Sequence, residues 1–299
     1  MTYTNLRIGV SLPVYGQADP VGRTAREARM AEDLGFSELW VPDRLSAPQS
    51  VREALVAGGM AVGATSSIGI AFGVLQAALR HPVWIAKAVR TLAADAGDRI
   101  LLGLGSGGDG EPEWDMVGVP WKERGARFTE MLPPLLSMLR GEPVSHHGRF
   151  YDFDVPPLLP TPSAPIPVWI GARTERTIRR ALAVDGWMSV YASPARFARA
   201  ALMLRDEAER LGRKPVALTA GIFASVVGSD DEAQARGVAH MVRTYGVSEE
   251  TGARAIIGGM GRLREVVDQY VEAGATGIRL VFADPAEEAW PIVAKAFLN

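Results

Sequence analysis

Arg99-Ile-Leu-Leu-Gly-Leu-Gly-Ser-Gly-Gly108 is an apolar run that stops in four glycines spread over six positions. An apolar segment with no polar alternation must be covered on both faces, so 99–103 is expected to be a buried parallel strand. Gly103, Gly105, Gly107 and Gly108 carry no Cβ, which lets a flat or anionic ligand approach the main chain. A tight turn after a strand fits the same glycines, so the rest of the chain has to separate the two readings.

Working outward, the segments before this strand alternate. Strands are expected at 6–12, 36–41 and 67–75, and helices at 22–34, 51–62 and from Pro82 to about Ala96. After it, helix four is expected at 122–139, strands at 167–171, 186–190, 216–227 and 276–282, and helices at 175–183, 194–211, 230–245, 262–273 and 285–297. Eight strands, each followed by a helix, point to an α/β protein, a closed (β/α)8 TIM barrel filling 1–299 as a single domain. The Pro-, His- and aromatic-rich segment 141–166 has no helical period and reads as an insertion after helix four, with a short hairpin as its expected form.

Composition narrows the chemistry. Hydrophobic residues make up 47% and charged residues 22% of the 299, which excludes disordered and fibrous classes. A net charge of -2 gives no electrostatic reason to expect nucleic acid or an acidic membrane as partner. There is no cysteine, hence no disulfide, thiolate nucleophile or sulfur-bound metal, and with only His81, His146, His147 and His240 a histidine-rich metal centre is not expected. No apolar run approaches the ~20 residues that span a bilayer and no basic leader opens the chain, so the expected location is the cytoplasm.

In such a barrel the carboxyl ends of the strands build the active site. That rule selects Val14 and Tyr15, Asp43 and Arg44, the stretch from Gly73 and Val74 to Gln76, the loop from Gly105 to Glu113, Ala172 to Thr174, and Tyr191. Asp43, His81 and Glu113 are the candidate catalytic groups. Each has a structural alternative: Asp43 as a helix cap, His81 as packing beside a helix start, and Glu113 in an ion pair with Arg124 or Arg127. Tyr15, Phe72, Trp114, Trp121, Trp187 and Tyr191 are candidate walls for a substrate.

Gly35-Phe-Ser-Glu-Leu-Trp-Val-Pro-Asp43, Arg80-His-Pro with Ala86-Lys87, Leu101-Leu-Gly-Leu-Gly-Ser-Gly107, Glu113 with Gly118 and Arg124-Gly125, Pro165-Ile-Pro-Val-Trp-Ile-Gly171 and Asp185-Gly-Trp187 occur in this order. Together they resemble the bacterial luciferase-like superfamily of flavin- and deazaflavin-dependent oxidoreductases. The resemblance implies a cofactor lying across the carboxyl-terminal mouth and a homodimer packed through helices of the barrel's first half. It places Gly73-Val74 at a strand-three bulge where these enzymes often hold a non-prolyl cis peptide behind the isoalloxazine ring. It also places Gly105, Ser106 and Gly107 beside the cofactor, and Gly171, Ala172, Arg173 and Thr174 at its phosphate. A helix start, a threonine hydroxyl and an arginine suit a phosphate on physical grounds as well, the other reading being an ordinary Thr174 cap.

The Gly-Leu-Gly-Ser-Gly form is similar to the branch that uses coenzyme F420, which includes sugar-phosphate dehydrogenases and methylenetetrahydromethanopterin reductases. FMN is the alternative cofactor; luciferases proper usually carry an arginine where Ser106 and Gly107 stand. Two departures bear on the reaction. Asp43-Arg44 replaces an Asp-His pair, and an always-charged arginine cannot shuttle a proton. Gly108 stands where the branch places a glutamate, with Glu111 or Glu113 the nearest substitutes. The expected function is hydride transfer between F420 and a small organic substrate. The alternatives are an FMN-dependent two-component monooxygenase served by a separate flavin reductase, and a non-catalytic flavin-binding protein.

Overall fold

The computed structural model describes residues 3, 5–13, 21–46, 50–107 and 112–298. Eight parallel strands close on themselves in the order β1 (Arg7–Ser11), β2 (Glu38–Val41), β3 (Gly69–Gln76), β4 (Ile100–Gly105), β7 (Val168–Ala172), β8 (Gly186–Ser189), β9 (Ala217–Ser225) and β11 (Gly277–Phe282). The intervening strands β5 (Val144–His147) and β6 (Asp152–Val155) form an antiparallel hairpin inside the expected insertion. The main covering helices are α1 (Arg23–Asp33), α2 (Ala54–Ala64), α3 (Pro82–Ala96), α5 (Arg124–Arg140), α7 (Pro194–Arg210), α8 (Asp230–Tyr245), α10 (Met260–Glu272) and α11 (Ala286–Phe297). Their starts follow local chemistry: Ser193 accepts from the Arg196 amide ahead of Pro194, and Ser229 and Glu232 cap each other's turn at α8.

Three features depart from the sequence expectation. A four-residue helix, α4 (Pro112–Asp115), lies in the long loop after β4. The helix after β7 is α6 (Glu175–Ile178) followed by a 3-10 turn over Arg179–Ala183, so it is not one continuous helix. Between α8 and α10 the chain adds α9 (Glu249–Ala255) and a three-residue strand, β10 (Ile256–Gly258). β8 pairs with β9 only along Ala217–Thr219, and β10 takes the same edge of β9 along Phe223–Ser225. β8 and β9 therefore part toward the mouth, which opens the barrel there.

The barrel interior is filled by large rings set against missing side chains. Trp40 and Trp169 lie 5.7 Å apart at the centre with Ala71, Leu101 and Met188. A Cβ on Gly9 would stand 2.5 Å from the Trp40 indole nitrogen, and one on Gly186 2.4 Å from Trp169. The plug is dense below the mouth, as in other barrels of this kind. On the outside, α2 is apolar on all sides; Val56 and Met60 remain exposed on it, and Trp84 of α3 is 73% exposed. Among the described residues no helix is long and apolar enough to cross a membrane.

Candidate active site at the barrel mouth

A cleft of about 370 Å³ opens at the carboxyl ends of the strands, within the roughly 300–1,000 Å³ range of small-molecule sites. It brings together Asp43, Gly73, Val74, Gly105, Ser106, Gly107, Glu113, Gly171, Ala172, Arg173 and Thr174, residues far apart in sequence. Val14, Tyr15, Gly108 and Glu111 lie outside the described residues.

The floor is the bulge in β3. Pairing of β3 with β4 shifts register between Phe72 and Leu75, and the Gly73–Val74 peptide between them is cis. Arg279 of β11 donates to the Gly73 carbonyl and, at 3.0 Å, to Ser11 Oγ. The Val74 isopropyl group fills the space that a side chain at Gly105 or Gly171 would need, with Cβ positions 2.6 and 2.5 Å from its methyls. This corrects part of the opening reading. Gly103 and Gly105 belong to β4 itself, and a Cβ on Gly103 would stand 2.1 Å from the Phe72 carbonyl oxygen. These glycines are demanded first by strand packing. Gly107, at φ 70°, is held between Gln76 and Trp114.

Both candidate carboxylates are committed to arginines. Asp43 is buried, and its oxygens accept from Arg80 at 2.6 and 2.9 Å and from the Gln76 amide at 2.7 Å. Burial pulls the Arg80 guanidinium down, but the bonds to Asp43 and Glu53 outweigh it and hold its pKa above the ordinary arginine value. Glu113, also buried, accepts from Arg44 at 2.8 Å, from Gln76 Nε2 at 3.0 Å and from the Leu45 amide at 3.3 Å. The expected partners of Glu113 are placed elsewhere: Arg124 stacks 3.6 Å over Trp121, and Arg127 pairs with Glu123. The structure does not bring His81 to the cleft. Its ring accepts from the Val83 amide at the start of α3 and packs edge-on to Tyr151 and Phe153 of the insertion.

On the next flank the partners are neutral. Arg180 donates to Thr129 Oγ1 at 2.7 Å and lies over Phe128; burial, then the nearby Arg176, pull its guanidinium below the ordinary arginine value. Arg124 donates to the Trp121 carbonyl. Thr174 is the N-cap residue of α6; its amide donates to Thr177 Oγ1 at 3.2 Å, and its hydroxyl lies 2.9 Å from that of Thr177. Four helical residues supply little dipole, so any anion site here leans on the arginines.

Across the barrel, at the ends of β8 and β9, Tyr191 lies parallel to Phe223 at 5.0 Å, and Phe223 meets Tyr245 edge-on at 5.4 Å. Arg173 lies 5.0 Å over the Tyr191 ring. Of the aromatics expected to wall the site, Trp114 and Trp187 are buried, and Trp187 stacks on Phe197 of α7. Phe72 points away, against Gly58 of α2. Sequence reasoning missed Phe128, Arg180, Phe223, Tyr245 and Arg279. Arg279 alone carried a local signal, a charge inside the apolar run Gly277-Ile-Arg-Leu-Val-Phe282.

A family model described as luciferase-like monooxygenase matches residues 4–286. An uncharacterised protein of Mycobacterium tuberculosis is 29% identical over 54% of this chain, and the match spans 62% of that relative's length. A protein of Beutenbergia cavernae named F420-dependent glucose-6-phosphate dehydrogenase is 32% identical over 53% of this chain and 49% of its own. A crystal structure of a monooxygenase from Streptomyces bottropensis superposes with a TM-score of 0.84 over 98% of this chain and 97% of its own, at 18% identity, a likeness of fold. The chain belongs to the luciferase-like monooxygenase family, and its barrel is the fold of that family.

Proposed function

We propose that this member of the luciferase-like family is a deazaflavin-dependent oxidoreductase that exchanges a hydride between coenzyme F420 and a small organic substrate at the barrel mouth. The observation that carries the reading is the charge inventory of the cleft. Five arginines line it, Arg44, Arg124, Arg173, Arg180 and Arg279, against two acids that are already paired, in a chain of net charge -2. A cofactor with a flat ring and an anionic side chain suits that surface: the Gly73–Val74 bulge and Gly105 to Gly107 offer a floor and side for the ring. Arg173 and Arg180, with Thr174 and Thr177, offer cations and hydroxyls to the anion. The name of the Beutenbergia relative points the same way.

When bound, F420 would supply a carbon that accepts or donates the hydride. The chain's own residues supply position. Asp43 and Glu113 hold the ends of β2, β3 and the loop after β4 in register through Arg80, Arg44 and Gln76, so they are positioning residues. The exposed apolar face of α2 and α3, with Val56, Met60 and Trp84, supports a homodimer through the barrel's first half; a monomeric mass in sedimentation at micromolar concentration would overturn that.

Fluorescence titration of the purified protein with F420 and, separately, with FMN tests the cofactor. Tighter binding of F420 is expected, weakened about tenfold by Arg173→Ala, the size of one charge-assisted contact. Tighter binding of FMN moves the reading to a two-component monooxygenase, and binding of neither sinks it.

A further inference from the structure

We propose that the β8–β9 side of the mouth takes an uncharged, planar, aromatic or conjugated substrate and turns away phosphorylated sugars. This rests on the cofactor reading above and deepens it. In the closed strand order β8 stands across the barrel from β2, and β9 across from β3. The ion-paired network at the ends of β2 and β3 therefore faces a wall made of Met188, Val190, Tyr191, Phe223 and Tyr245.

That wall is built, not incidental packing. Tyr191 has φ 52°, a left-handed backbone that costs a non-glycine residue free energy and persists only where its surroundings hold it. The surroundings are visible: Phe223 lies parallel to its ring within 2°, and the Arg173 guanidinium lies over it. Tyr191, Phe223 and Tyr245 all keep part of their surface exposed and line the cleft, whereas Trp187, four residues before Tyr191, is fully buried. The parting of β8 and β9 and the pairing of Phe223 with Ile256 of β10 put this wall where the two strands separate.

Charge supplies the other half of the argument. A phosphate taken out of water needs cations or hydrogen-bond donors against it. Of the described arginines that line the cleft, Arg173 is the one stacked on these rings, over Tyr191, while Arg279 is engaged on the floor by Gly73 and Ser11. Arg44, Arg124 and Arg180 belong to other flanks, against Glu113, Trp121 and Phe128. Aromatic faces, by contrast, are matched by another flat π-system.

Calorimetric titration of the F420-loaded protein with acetophenone and, separately, with glucose 6-phosphate tests the proposal. Saturable binding of acetophenone is expected, weakened roughly tenfold by Phe223→Ala, the size of one aromatic contact, and largely kept by Phe223→Tyr. F420 affinity should move less than threefold in both variants, and glucose 6-phosphate should give no saturable heat. Tighter binding of glucose 6-phosphate than of acetophenone, or acetophenone binding indifferent to Phe223→Ala, overturns the proposal. Should F420 itself fail to bind, the cofactor reading falls alone, because the same contrast measured on the unloaded protein still decides the substrate wall.

Discussion

Arg44 and Arg180 line one cleft and differ in what they face. Arg44 meets the Glu113 carboxylate at 2.8 Å, and Glu113 is tied in turn to Gln76 and the Leu45 amide. Arg180 meets a threonine hydroxyl and the face of Phe128, and among the described residues no carboxylate pairs with it. The first flank pairs its charges within itself and holds three loops together. The second leaves positive charge half-buried, to be met by solvent or by an anionic ligand. Five arginines make the cleft cationic, and the comparison teaches that their partners decide which flank is open to an anion.

The largest expected effect comes from breaking the paired flank. Arg80→Met leaves the Asp43 carboxylate buried without its cation and is expected to cost about 3–5 kcal/mol of stability in urea unfolding; a loss under about 1 kcal/mol would mean that this flank is not locked by charge.

An intermediate effect separates charge held by partners from charge suppressed by burial. His240 lies behind Tyr245, and burial, then Arg243, push its pKa down to about 4 against a weaker pull from Asp284. The folded ring stays neutral where the unfolded one, near 6.5, takes a proton. Its contribution is therefore complete above about pH 6.5 and is lost as pH falls through about 4, at most about 3 kcal/mol and less for a ring that keeps some solvent. His240→Gln should flatten the stability profile in that window; an unchanged slope would assign it to other groups.

The smallest effect on folding is expected on the cationic flank. Arg180→Ala should change stability by less than about 1 kcal/mol while weakening F420 about tenfold in the fluorescence titration. Equal damage to stability, or unaltered F420 binding, would erase the contrast between the flanks.

Much of this molecule was legible in its residues. The βα alternation located all eight barrel strands to within a few positions, and the barrel-end rule gathered Asp43, Gly73, Gly105, Glu113, Arg173 and Tyr191 at one mouth. The same reading misjudged partners. Asp43 and Glu113 carry the right chemistry for an acid or base, yet Arg80 and Arg44 hold them; His81 stands next to a strand end in sequence and packs against the insertion in space. Phe223, Tyr245 and Arg180 gave no sign, because an aromatic in a strand or an arginine on a helix has the same local pattern whether it faces a cleft or not.

Periodicity and glycine placement are properties of neighbouring residues, set by backbone sterics and by the need to cover apolar surface, so the sequence by itself determined the barrel and which end of it is open. Which charges cancel and which rings face the mouth depend on pairs such as Arg44 with Glu113, Asp43 with Arg80 and Tyr191 with Phe223, brought together only when the barrel closes. Electrostatics and stacking act over a few ångströms between residues that the chain keeps tens of positions apart, so the tertiary structure alone decided the character of the site.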